Sequence, residues 1–89
     1  MNVEDLTGRD LVVCMAGALD VAIDAYPELV IPDTDAASGE FVFRTRVVQV
    51  QEDPRVTDGL ATVDIELTDG EGVGRVFRLT ITAAELRTP

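Results

Sequence analysis

Two hydrophobic rhythms divide the chain. From residue 7 to residue 25 apolar side chains recur at helical spacing, and from residue 40 onward they alternate at every second position. Thr7 followed by Asp10 has the form of a capping box, so the helix is predicted over 7–25, with Asp10 near the positive end of its dipole. Pro27 disfavours a helical Tyr26 and stops it. At 100° per residue, Leu11, Met15, Ala18, Leu19, Ala22 and Tyr26 share one side. Cys14 and Val21 border one edge of that side, and Ala16 and Ile23 the other; Asp10, Asp20 and Asp24 lie opposite, with Gly17 and Val13. The apolar arc is about 220° wide, whereas a helix resting on one sheet needs a stripe of only about 100°. The helix is therefore expected to touch a second surface, either covering loops or another chain.

Residues 27–39 read as a connector punctuated by Pro27, Pro32 and Ser38-Gly39, with Leu29-Val30-Ile31 as a short extended piece. Strands are predicted over 40–51, 60–68 and 75–82. In the first, Phe41, Phe43, Thr45 and Val47 share a face, and the slip of the alternation at Val48 and Val50 predicts a bulge near Val47-Val48. Ala61, Val63, Ile65 and Leu67 alternate with Thr62, Asp64, Glu66 and Thr68, and Phe77, Leu79 and Ile81 with Val76, Arg78, Thr80 and Thr82. Residues 53–59 form a turn and the Gly-rich 69–74 a hairpin loop. Thr82-Ala-Ala-Glu85 repeats the capping-box spacing and predicts a terminal helical turn through Leu86. The expected fold is a single α+β domain over 1–89, two-layered. One N-terminal helix packs on a three-stranded antiparallel β-meander, followed by a short C-terminal helical turn. The helix should cover Phe41, Phe43, Val63, Ile65, Phe77 and Leu79. The other face should pair Arg44, Arg46 and Arg78 with Asp64 and Glu66, at about 0.2–1 kcal/mol per pair.

Charge narrows the function. Seventeen Asp and Glu face seven basic residues, all Arg, for a net charge of −10, with no Lys, His or Trp. This argues against direct nucleic-acid binding, which calls for a basic patch, and against histidine-ligated metal. Nine of the acids but only Arg9 fall within residues 1–40, so the helix and connector hold most of the excess negative charge. One cysteine permits no internal disulfide, the acidic N-terminus is unlike a signal peptide, and the mostly apolar run Leu11–Leu19 is far short of the roughly 20 residues a membrane span needs. A cytoplasmic location without membrane contact is expected. For so short a chain, area burial and the entropy of ordering nearly cancel, which leaves a lone monomer marginal and gives self-association room to contribute.

Catalytic chemistry finds little support. Ser38 is the only serine and lies in the connector. Cys14, on the apolar side of the helix, reads as a buried, inert thiol. Asp33 with Asp35, and Asp69 with Glu71, lack the spacing of a calcium loop. Gly70-x-Gly72-x-Gly74 sits between strands rather than before a helix, unlike a phosphate cradle. Asp64 and Glu66 share a face with three Arg, which would lower rather than raise a carboxylate pKa. No enzyme activity, metal or cofactor is expected. The reading drawn from the charge is a non-enzymatic acidic binding or inhibitor protein that docks on a basic, nucleic-acid-binding protein by imitating phosphates. Asp10, Asp20, Asp24, Glu28, Asp33 and Asp35 would supply the field, and Val13 and Ile23 an apolar anchor. In size, charge and lack of catalytic residues the chain is similar to the small acidic accessory proteins of bacteriophages, including inhibitors of host defence. That resemblance implies the same blocking role. The alternative is a structural or assembly protein that forms a homo-oligomer through the wide apolar face of the helix.

Overall fold

In the computed structural model, which describes residues 2–33 and 39–86, a 3-10 turn at Val3–Asp5 leads into helix α1 (Gly8–Ala25). The capping box forms as its residues predict. The Asp10 amide donates to Thr7 Oγ1 at 3.1 Å, and the Thr7 amide returns a bond to Asp10 Oδ2 at 3.3 Å. The helix ends where Tyr26, in a non-helical conformation, donates to the Ala22 carbonyl before Pro27.

Among the described residues four strands follow, not three: β1 (Glu28–Asp33), β2 (Gly39–Glu52), β3 (Leu60–Thr68) and β4 (Gly74–Thr82), antiparallel in the order β1-β2-β3-β4. The added strand is the extended piece within the predicted connector, where Leu29-Val30-Ile31 pairs with Phe41-Val42-Phe43. The predicted C-terminal helical turn is absent, and residues 83–86 have no regular structure. Ala83 instead packs against the core, tying this segment to the sheet. The bulge is present: pairing of β2 with β3 shifts between Val47 and Gln49, leaving Val48 without an opposite residue. The turn after β3 closes on Asp69, whose side chain accepts from the Glu71 and Val73 amides at 2.9 Å, with Gly72 supplying a φ of +86°.

Helix α1 lies on β2, β3 and β4. The core comprises Val12 and Ala16 of α1 and Ala61, Val63 and Ile65 of β3, with Leu19, Ile23, Val47, Ile81 and Ala83 around it. The buried stripe of the helix is thus Val12, Ala16, Leu19 and Ile23, turned by about 90° at 100° per residue from the middle of the predicted arc. Of the side predicted to face the sheet, Leu11, Met15 and Tyr26 are exposed. Cys14 is exposed as well, contrary to the expected buried thiol, because it lies on the far side of α1 from Val12 and Ala16.

The N-terminal end of α1 is pinned. Arg9 Nε donates to Glu52 Oε1 at 2.7 Å, joining the first helical turn to the end of β2. Gly59 lies directly beneath that turn with φ +92°, and a Cβ there would stand 2.6 Å from Arg9 Cα. Both conformation and contact require glycine. Replacing Gly59 with Ala is expected to destabilise the fold by about 2 kcal/mol, read as a lower urea midpoint at unchanged slope.

Candidate interaction surface

Register determines what the helix leaves bare. Arg44 of β2 stands opposite Glu28 of β1 on one side and Thr68 of β3 on the other. Residues 44–52 of β2 pair with β3, whereas residues 39–43 pair only with β1. The β1–β2 hairpin therefore extends beyond β3 and β4 as a two-stranded arm, about 17 Å long at the rise of a strand. The molecule is correspondingly elongated, at 46 × 31 × 21 Å, with a radius of gyration of 16.4 Å against about 12 Å for a compact chain of this size.

Both faces of this arm are apolar up to its last two register pairs, Pro32 with Glu40 and Asp33 with Gly39. Leu29, Ile31, Phe41 and Phe43 are on the α1 side, with the Phe41 and Phe43 rings stacked at 6.3 Å between centroids, and Val30 and Val42 are on the other. Leu29, Val30, Ile31, Phe41 and Val42 are between 41% and 50% exposed. Where the arm joins the body, an apolar groove of about 390 Å³ opens between Leu19 and Ile23 of α1 and Leu29, Ile65, Leu67, Phe77 and Leu79 of the sheet, with Thr45 the one residue carrying a polar side chain. Arg75 covers part of its outer rim, its guanidinium 4.9 Å from the centre of the Phe77 ring. A second bare surface lies on α1, where Leu11, Cys14, Met15, Ala18, Val21, Ala22 and Ala25 recur at helical spacing and are all exposed.

The acidic residues are less concentrated than the linear charge pattern suggests. Asp20 and Asp24 stand one turn apart on an exposed face of α1, at a shallow hollow that also includes Arg46. Asp10 is at the other end of the helix, where its carboxylate accepts from the Thr7 amide and, at 2.8 Å, from Thr7 Oγ1. Glu28 belongs to the sheet face turned away from α1, opposite Arg44. Asp33 is at the tip of the arm, paired through the backbone with Gly39, and Asp35 lies outside the described residues. Of the apolar anchors, Val13 is exposed on α1 about 10 Å along the helix from Asp20, while Ile23 packs against the core and lines the same hollow as Asp20 and Asp24. The fold brings together Asp20, Asp24 and Ile23 and keeps the others apart. The arm is the feature that alternation concealed. Its signal was a continuous apolar triplet, Leu29-Val30-Ile31, matched in length by Phe41-Val42-Phe43, as in strands with no polar face.

On the polar sheet face two of the three arginines expected to pair with Asp64 and Glu66 do so, and Arg44 stands opposite Glu28 and Thr68 instead. Arg78 Nε donates to Asp64 Oδ1 at 2.8 Å, and Arg46 Nη2 to Glu66 Oε1 at 3.1 Å. Among the described residues no group of three or more His, Cys, Asp or Glu is placed to hold a metal ion, and no helix is long and apolar enough to cross a membrane. The hydrogen bond from Arg78 holds the Asp64 carboxyl below the ordinary aspartate range, and the Arg55 side chain does the same for Asp53. Because the folded-state pKa is depressed, the stabilisation from each pair is present above the unfolded value and is lost as pH falls through the folded one. Carbon-detected titration should place the Asp64 midpoint below that of an unpaired aspartate, and Arg78→Gln should return it to the ordinary range. In comparisons with known protein families, curated proteins and solved structures, the chain matches none.

Proposed function

We propose that this chain is a non-enzymatic assembly module, whose work is to bury its β1–β2 arm and the adjoining groove against further copies of itself. The observation that carries the reading is the arm, largely apolar on both faces and, among the described residues, backed by no other strand of the sheet. A two-stranded hairpin alone is at best marginally stable in water, so it needs a surface to rest on. The accessible surface of the chain, 7,222 Å², exceeds the roughly 5,100 Å² of a compact monomer of this mass. A net charge of −10 opposes association of like copies, so the apolar surface must outweigh that repulsion.

A second reading keeps the acidic docking surface in reduced form: Asp20 and Asp24, with half-buried Ile23 at the same hollow, would meet a basic protein partner. Salt separates the two, because screening weakens attraction between opposite charges and relieves repulsion between like ones. Sedimentation equilibrium is expected to show self-association that tightens from low to moderate salt. Phe41→Ser should weaken it by about 10- to 100-fold, the loss of one large apolar contact, with the circular dichroism of the body unchanged. A monomer at all concentrations would refute self-assembly. A basic partner released by salt and by Asp20→Arg with Asp24→Arg would support the second reading.

A further inference from the structure

Two unpartnered apolar surfaces sit on one molecule, and they are different in kind. One is the flat α1-side face of the arm, with Leu29, Ile31, Phe41 and Phe43. The other is the outer stripe of α1, where Leu11, Met15 and Val21 flank the small Ala18 and Ala22. They cannot meet within one chain. The arm extends away from the body, and α1 rests on the sheet through Val12 and Ala16 with its outer stripe turned aside.

Their dimensions agree. The stripe from Leu11 to Ala25 runs about 21 Å at the rise of a helix, close to the roughly 17 Å of the arm. Ala18 and Ala22 leave a shallow trough at its middle, with space for the rings of Phe41 and Phe43. The outer stripe of α1 carries no charge, and the acidic residues of the arm, Asp33 and Glu40, fall in its last two register pairs at the tip, so two strongly acidic chains can approach through these faces with most of their carboxylates outside the contact. The accessible surface is about 2,000 Å² above that of a compact monomer, which is nearer to two ordinary half-interfaces of about 800 Å² each than to one. A symmetric contact, helix on helix or arm on arm, covers one of the two surfaces and leaves the other in water.

We propose that the arm of one copy packs on the outer face of α1 of the next, so that each chain donates one arm and receives one. This rests on the self-assembly reading and adds the mode of contact to it. One kind of contact then covers both bare surfaces, and either a reciprocal pair or a closed ring satisfies it.

Cys14, exposed on the outer face of α1, supplies the probe. The native chain, with its thiol on the helix, is mixed with an equal amount of a Cys14→Ser, Ile31→Cys chain, whose thiol is on the arm. A short bismaleimide is then added. The expected result is that the mixed Cys14-to-position-31 product dominates both homotypic products. Ala22→Glu, on the exposed stripe and outside the core, should weaken association at least as much as the arm substitution does. Leu29→Cys serves in place of Ile31→Cys if that chain fails to fold. An oligomer in which the product joining two Cys14 thiols dominates would show helices packing on each other. One in which the arm-to-arm product dominates would show arms pairing. Either overturns the proposed contact while leaving self-assembly intact, whereas a strictly monomeric native chain overturns self-assembly itself.

Discussion

The packing of one helix on the middle of one strand governs the rest of this molecule. Val12 and Ala16 of α1 close over Ala61, Val63 and Ile65 of β3, and these five are the buried hydrophobic residues among those described. The helix can lie this close because Gly59 admits its first turn and because Arg9 reaches Glu52. Pinned at that end, an 18-residue helix extends about 27 Å, whereas the fourteen residues of β2 span about 46 Å. The helix cannot cover the sheet to its end. The first third of β2, with β1 beside it, is left bare.

The surface this leaves is unusual in where it puts its polarity. The sheet face away from α1 carries the ion pairs Arg46–Glu66 and Arg78–Asp64, which are exposed and worth little individually, but they oppose register slips in β2, β3 and β4. The arm is apolar on both sides for most of its length. Hydrophobic side chains on both sides of a hairpin stabilise nothing in a lone chain, yet they contribute fully once a second surface excludes water from them. The exposed stripe of α1 is in the same condition. The chain has a small core and leaves much apolar area outside it, which is the area the proposed assembly would bury.

Much of the local structure was legible. Thr7 and Asp10 announced the start of the helix, Pro27 its end, the slip at Val48 the bulge, and Asp69 with Gly72 the hairpin turn, because each depends on interactions within a few residues. Which side of the helix is buried was not legible. Its apolar positions fall into two stripes, one through Val12, Ala16, Leu19 and Ile23 and one through Leu11, Met15, Ala18 and Ala22, and helical periodicity weighs them alike. β1 was legible only as a short extended piece, because Pro27 precedes it, Pro32 lies within it and it has no alternation. The second capping-box match, Thr82 with Glu85, starts no helix, since Ala83 is drawn against the core and the segment after it has no apolar stripe to bury.

The sequence by itself determined the elements bounded by caps, turns and alternation, the α+β class and the ion-paired face, since these follow from neighbours along the chain and from strand parity. It determined the net charge but not its grouping. Tertiary structure alone decided which helical stripe met the sheet, where β2 changed partner from β1 to β3, and that Asp10, Glu28 and the Asp20–Asp24 pair ended on separate surfaces. The reason is physical. Contacts between distant segments depend on the fit and register of whole surfaces, and a one-dimensional pattern that offers two apolar faces leaves the choice between them to packing.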